Sequence, residues 1–385
     1  MVPKEWEIKT IGDIATVSSG GTPSRKEQAY WNGDIPWVTT AEVQFKTILD
    51  SAEKITKEGL TNSSAKLFPI NTILMAMYGQ GKTRGQVAKL GIEASTNQAC
   101  AAIILSSDYC VDYYYQFLIY QYENIRDMSN SGSQENLSGS IVKSIPVLVP
   151  PYFEQEKIAQ ILSTWDQAIS ATEKLLENSQ QQKKALMQQL LTGKKRLLDE
   201  NGVKFSDEWQ RIELGLLLDY QQPTPYLVES TAYSDSYETP VLTAGKTFIL
   251  GYTNESSGIY QDQLPVIIFD DFTTDSKYVN FPFKAKSSAM KILTAKKGVS
   301  IKFVFEAMQM LQFTVGGHQR HWISIFSNLV IPLPNKKEQQ QIAEVLSLAD
   351  QEIETLQKKL DCLQQEKKAL MQQLLTGKKR VKVAA

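Results

Sequence analysis

The chain has 385 residues, 42% of them apolar and 22% charged, enough to bury the cores of two or three ordinary globular domains. Its 41 Lys and Arg against 42 Asp and Glu give a net charge of −1, which lacks the basic surplus of a free-standing nucleic-acid binder. No apolar run could span a bilayer, the start MVPKEWEIKT has no signal-peptide core, and Cys100, Cys110 and Cys362 form neither a CxxC pair nor a disulfide framework. A cytoplasmic protein with reduced, structural thiols is expected.

In chain order, residues 18–131 alternate short apolar runs, such as Thr72-Ile73-Leu74-Met75-Ala76-Met77, with turn residues, which predicts a mostly β, α+β domain. Inside it Gly81-Lys82-Thr83 imitates the tail of a phosphate-binding loop. The required first glycine is Ala76, however, and Arg84-Gly85-Gln86 follows where a helix should open. The remaining use is a flexible basic loop, with Lys82, Thr83, Arg84 and Gln86 able to approach phosphates or base edges.

From Glu154 to Leu191 there is neither Pro nor Gly, and apolar residues recur at 3-4 spacing: Ile158, Leu162, Trp165, Ile169, Leu176, Leu186 and Leu190. That period predicts a helix of about 57 Å with a coiled-coil seam, ending at Gly193 in the left-handed C′ position with Lys194, Lys195 and Arg196 on the negative end of its dipole. Beyond it Glu208-Trp209 with Gly215 restarts the pattern of Glu5-Trp6 with Gly12, and residues 216–315 form a second alternating segment, with Pro265-Val266-Ile267-Ile268-Phe269 as a predicted strand.

Two features of the second segment invite a catalytic reading. Asp270, Asp271, Asp275 and Lys277 resemble the acids of a metal-dependent nuclease, but the carboxylates crowd onto one turn with no second acidic strand nearby. The other uses are a strand end with a polar loop, or a carboxylate such as Asp271 accepting from a cytosine amino group. His318 and His321 have no Cys partners for zinc, and neither a methyl-transfer nor an ATPase signature is present.

A second helix follows, with Ile342, Leu346, Ala349, Ile353, Leu356, Leu360, Leu363, Leu370 and Leu374 in its seam and only Lys367 breaking the series. The two helices are copies: KKALMQQLLTGKKR at Lys183–Arg196 returns unchanged at Lys367–Arg380, 184 positions later. The match extends without a gap through Pro150 and Pro334, Glu154-Gln155 and Glu338-Gln339, Ile158-Ala159 and Ile342-Ala343, and Asp166-Gln167 and Asp350-Gln351. A dimerising coiled coil is one use for such helices, but two like seams in one chain pack more naturally on each other. Lys183 and Lys367 at seam positions suggest a seam that opens near its end to admit a partner's helices.

The order is therefore start-motif, variable segment, helix, repeated once. The expected fold is α+β: two mixed, mostly β domains joined by two long antiparallel coiled-coil helices in a pseudo-twofold repeat. Its parts are 1–153 (first recognition domain), 154–196 (central helix), 197–337 (second recognition domain), 338–380 (C-terminal helix) and a tail at 381–385. Residues 1–153 and 197–337 each carry 13 Lys and Arg against 15 Asp and Glu, so a partner would supply much of the phosphate neutralisation if the chain grips DNA. The gapless register sets Gln134, Glu135 and Asn136 opposite His318, Gln319 and Arg320, and Gln, Asn, Arg and His are side chains that read base edges. Hydrated turn residues are the plainer alternative for these positions.

Several stretches carry a family resemblance. They are Gly20-Gly21-Thr22-Pro23-Ser24, Tyr30-Trp31-x-Gly33-Asp34-Ile35-Pro36-Trp37-Val38, Gly132-Ser133-Gln134-x-Asn136-Leu137-Ser138 and Pro150-Pro151-x-x-Glu154-Gln155-x-x-Ile158-Ala159. Ile331-Pro332-Leu333-Pro334 and Glu338-Gln339-x-x-Ile342-Ala343 close the second half alike. Together, over essentially the full length, they resemble the specificity subunit of type I restriction-modification systems. Gln222-Pro223-Thr224-Pro225-Tyr226 departs from the pattern where the first half has Gly-Gly-Thr-Pro-Ser.

The resemblance implies a non-catalytic chain whose two target-recognition domains each read half of a bipartite, asymmetric duplex-DNA sequence, with the helices as spacer. It implies two methyltransferase subunits bringing S-adenosylmethionine, a restriction subunit bringing ATP-driven translocation and Mg-dependent cleavage, and no cofactor in this chain. Candidate phosphate contacts are then Lys82, Arg84, Lys246, Lys284 and Lys291. Candidate base contacts are Gln134, Asn136, His318 and Arg320, with Thr83, Gln86, Ser133, Asp271 and Gln319 as further candidate DNA contacts, and Trp165, Leu186, Leu190, Leu370 and Leu374 are candidates for partner docking. The rival readings are a nuclease built on Asp270, Asp271 and Asp275, and a purely structural scaffold.

Overall fold

The computed structural model describes residues 3–79, 81–129, 136–243, 247–311 and 321–381. It forms two units: Met1–Glu173 with Lys359–Ala385, and Lys174–Lys358. Each unit holds one variable segment and a portion of both long helices, so the compact bodies cut across the helices.

In the first unit the run Ile73–Ala76 is apolar at every position and buried on both faces, as a central strand requires. It lies in a five-stranded sheet ordered Ala15–Ser19, Cys100–Leu105, Ile73–Ala76, Val87–Leu90, Thr47–Ile48. A second sheet runs Glu53–Ile55, Trp31–Val38, Ala94–Thr96, Leu67–Phe68, and Glu7–Thr10 pairs with Pro146–Val149. The glycines after Ser19 serve close packing between these layers. A Cβ on Gly20 would sit 2.0 Å from the Thr96 carbonyl oxygen, and one on Gly21 2.4 Å from Ser64. The Gly21 carbonyl is thereby free to accept the Trp37 indole N–H at 2.9 Å, while Arg25 lies 3.7 Å over the Trp31 ring and pairs with Glu53.

The second unit repeats this plan. Its main sheet is ordered Leu218–Gln221, Met290–Ala295, Val266–Asp270, Ser276–Val279, beside a three-stranded sheet of Ile249–Thr253, Thr239–Leu242 and Lys284–Ala285. Gln210–Glu213 pairs with Val330–Leu333 as Glu7–Thr10 does with Pro146–Val149. Even a side-chain tie repeats: Gln155 Oε1 accepts the Cys110 N–H and Gln339 Oε1 accepts the Ser300 N–H, both at 2.9 Å.

The long helices are Tyr152–Leu190 and Lys336–Leu374, 39 residues each and so about 58 Å long. They run antiparallel within each unit. In the first, Glu154 pairs with Arg380, the Trp165 indole donates to Glu366 at 3.2 Å, and Asp166 meets Lys367 at 2.6 Å. In the second, the same contacts recur with the copies exchanged: Glu338 with Arg196 at 2.6 Å, and Asp350 with Lys183 at 2.6 Å.

The two seam lysines therefore do not open the seam. Lys367 is satisfied by Asp166, and Lys183 by Asp350 together with the fully buried Glu306 at 3.1 Å; Lys302 completes this cluster at 2.7 Å from Glu306 and 2.8 Å from Asp350. A polar residue on the apolar face is tolerated because its partner is supplied across the seam. Burial by itself would raise the Asp350 carboxyl, but hydrogen bonds from Lys183 and Lys302 hold it below its usual 3.8. A depressed folded value stabilises the fold above the unfolded value and loses that stabilisation as pH falls through the folded one. Asp350→Asn should thus lower the melting temperature at neutral pH, and its difference from the parent should shrink as pH falls through the folded carboxyl's value. A difference that persisted in strong acid would show that the carboxylate charge is not what matters.

Candidate nucleic-acid interface

The basic loop of the first unit leaves the central strand at Met77 and returns at Gln86 into the strand Val87–Leu90, with no helix after it. It is clamped onto the helix Tyr122–Asp127: Tyr122 donates its hydroxyl to the Lys82 carbonyl and Arg126 donates to the Gly81 carbonyl at 2.8 Å. Gly85 has φ +83°, a conformation that favours glycine, which lets the loop turn back beneath Arg126. Lys82 is exposed and Thr83 and Gln86 are half-buried, whereas Arg84 is 9% exposed and belongs to the body of the unit.

In the second unit two of the candidate cations have internal duties. Lys284 is 2% exposed, 2.7 Å from Glu255 and 2.7 Å from the Ser257 carbonyl. Lys291, 3% exposed, lies 3.1 Å from Asp271 and donates to Gln222 Oε1 at 3.2 Å. Each buried ammonium would have to abandon its partners to meet a phosphate, which is strongly unfavourable. Asp271 also accepts the Trp322 backbone N–H at 3.0 Å, and Asp270 accepts the N–H groups of Phe272 and Thr273 at 2.7 and 3.2 Å. These acids are spent on the turn and the ion pair, and among the described residues no three His, Cys, Asp or Glu side chains gather as metal ligands. Burial pushes the Cys100 thiol up to about 12, so it is no nucleophile near neutral pH.

Asn136 is half-buried and precedes Leu137, whose N–H donates to the Met77 carbonyl at 2.9 Å. Leu137 is thereby fixed beside the start of the basic loop. Ser133, Gln134, Lys246, His318, Gln319 and Arg320 lie outside the described residues.

Of the docking candidates, Leu190 and Leu374 are buried in their own units' cores, Leu186 and Leu370 pack against the same cores, and Trp165 is tied to Glu366. The faces turned outward are instead Lys184, Ala185, Gln188 and Gln189 in one copy and Lys368, Ala369, Gln372 and Gln373 in the other. These exposed residues are identical between copies although folding does not require it.

Sequence reasoning missed the clamp that closes each repeat. Arg196 grips the buried Glu338 through two hydrogen bonds of 2.6 Å, the Trp209 indole donates to the same carboxylate at 3.1 Å, and the guanidinium lies 5.5 Å over that ring. Arg380 likewise grips Glu154 through two hydrogen bonds and stands 5.9 Å over Trp6, whose indole N–H does not reach the carboxylate, and it adds a 2.9 Å bond to the Lys4 carbonyl. The final Arg of each repeat, the Glu that opens each helix and the Trp of each start-motif were all visible, and pairing them across the duplication would have found it.

Residues 3–179 and 206–365 match the family profile described as "Type I restriction modification DNA specificity domain". The chain belongs to that family. Each match covers one variable segment and runs into the long helix behind it. Within the family, the specificity subunit of the Escherichia coli EcoR124I/EcoR124II enzymes is 54% identical over 132 residues, 33% of this chain and 32% of that subunit. The chain thus aligns with about a third of that relative. The MjaVIII specificity subunit of Methanocaldococcus jannaschii is 25% identical over 422 residues, spanning 99% of this chain and 94% of that one. Among solved structures, the S subunit of the type I system from M. genitalium superposes with a TM-score of 0.69 at 16% identity, covering 97% of this chain and 99% of that one, which shows a shared fold.

Proposed function

We propose that this chain is the DNA-reading, non-catalytic subunit of a type I restriction-modification enzyme. It reads a bipartite, asymmetric duplex target, one short half-site per unit, and positions two methyltransferase subunits and a restriction subunit there. S-adenosylmethionine, ATP and Mg belong to those partners, and the assembly works in the cytoplasm. The observation that carries this is the repeat itself: four strands of the main sheet in one order and one Arg–Glu helix clamp occur twice, while the side chains at the recognition segments differ. A duplicated scaffold with diverged readers suits an asymmetric target. The two identical exposed helix faces support two copies of one partner, since a shared partner is a reason for exposed residues to stay alike.

The contacts divide by type. Lys82 and Lys246 position phosphates, and Gln86, Ser133, Gln134, Asn136, His318, Gln319 and Arg320 read bases. A net charge of −1 leaves most phosphate neutralisation to the partners. Arg320→Ala should weaken binding to the cognate duplex by about 1–3 kcal/mol and relax one position of one half-site. An equal loss on every sequence would make Arg320 a phosphate contact.

The direct test incubates the purified chain with DNA and Mg, then repeats the experiment with its methyltransferase present. Neither cleavage nor methylation is expected from the chain alone, and sequence-specific methylation is expected with the partner. Cleavage by the chain alone would revive the nuclease reading, and methylation without sequence preference would leave only a scaffold.

A further inference from the structure

The hydrogen-bond register lays one unit's central strands on the other's. Met75 faces Ala101 as Phe269 faces Lys291, and the next bonds agree: Met77 N–H to the Ala99 carbonyl at 2.8 Å, Asp271 N–H to the Ala289 carbonyl at 3.3 Å. The residue that follows is an exposed aromatic in both units, Tyr78 at 41% and Phe272 at 54%. A lone exposed ring needs no explanation. Two at one register position, in segments that share little other sequence, do.

Both rings stand where the chain leaves the central strand. Phe272 is set by the Asp270 carboxylate, which accepts its N–H and that of Thr273, and by Thr274 at φ +64°. Tyr78 is followed by Gly79 at φ +144°. The residue before each ring is tied to the body of its unit: the Met77 carbonyl accepts the Leu137 N–H, and the Asp271 carboxylate accepts the Trp322 N–H.

In the first unit the surroundings suit nucleic acid. Tyr78 lines a cleft of about 640 Å³ with Ser18, Lys66, Gln98, Ser140 and Lys143. Lys66 and Lys143 are exposed and neither forms an ion pair with a described residue. In the second unit the position of the cleft residue Ala101 is taken by Lys291, bound to Asp271 and Gln222, so the floor beside Phe272 is filled. The rings are alike while their settings differ, which fits one mode of contact applied to two different sequences.

We propose that Tyr78 and Phe272 are paired base-contacting residues, one per half-site, each pressing its ring into a base step of the bound duplex. Lys66 and Lys143 hold the adjoining phosphates in the first half-site. Apolar and aromatic side chains enter base steps in this way, and stacking on a base tolerates an exchange of Tyr for Phe. The inference rests on the DNA-reading role proposed above.

The test uses the full chain assembled with its methyltransferase, on a duplex carrying the motif recovered from host methylation and on a scrambled duplex. Tyr78→Ala and Phe272→Ala should each weaken motif binding about 10- to 100-fold while binding to the scrambled duplex stays unchanged, and Tyr78→Phe and Phe272→Tyr should remain within about threefold of the parent. Unchanged motif affinity in either alanine variant, or an equal loss on both duplexes, overturns the proposal. Melting temperatures equal to the parent's establish that the variants are folded. A parent complex that fails to distinguish the two duplexes defeats the DNA-reading role, and the inference with it.

Discussion

Replacing Arg196 with alanine is expected to destabilise the second unit by about 3–5 kcal/mol, because it strands a carboxylate that the fold has removed from water. Glu338 has no exposed side-chain surface, and Arg196 supplies two of the three side-chain hydrogen bonds it accepts, the other coming from Trp209. Urea unfolding followed by tryptophan fluorescence reads the loss directly, since Trp209 sits in the clamp. Two comparisons sharpen it. Arg380→Ala should cost less, as the Arg380 side chain is 37% exposed and water can partly replace it. The double change Arg196→Met with Glu338→Met should recover much of the stability, because replacing a buried pair with apolar groups avoids the uncompensated charge. A loss below about 1 kcal/mol in Arg196→Ala would mean that the pair is more hydrated than its geometry implies.

The second large effect is on the target. If the helices act as the spacer between readers, one added helical turn after Ser179, matched by one before Glu352, should lengthen the unread gap by about one to two base pairs. A turn is about 5.4 Å and a base-pair step about 3.4 Å. Ser179 and Glu352 mark one level of the seam, where the Ser179 hydroxyl donates to Glu352 at 3.2 Å, so the paired insertion keeps the flanking Lys183–Asp350 contact in register. Methylation mapping should return both half-sites unchanged on either side of a longer gap. Altered half-sites with an unchanged gap would defeat the spacer role.

Much of the scaffold was legible because it is periodic or duplicated. The run without Pro or Gly from Glu154, the 3-4 spacing from Ile158 and the exact recurrence of Lys183–Arg196 led to the two helices, and Ile73–Ala76 and Val266–Asp270 read as strands from apolar runs alone. Side-chain partnerships were not legible, since they depend on which distant residues the fold brings together. Lys183 looked like a break in the seam until Glu306, from a different element, proved to lie 3.1 Å away. Lys284 and Lys291 looked like surface cations because charge in a sequence carries no record of burial, and Glu255 and Asp271 are what allow them inside. Tyr78 and Phe272 share no sequence context, and only the strand register makes them equivalent.

In the proposed function this chain chooses a two-part DNA sequence for enzymes other than itself. Sequencing base modifications in host DNA with and without this gene tests it most directly. A methylated motif of two short, dissimilar half-sites around an unread gap is expected with the gene and not without it. Methylation that is unchanged by the deletion, or that is lost from a single uninterrupted motif, would contradict it.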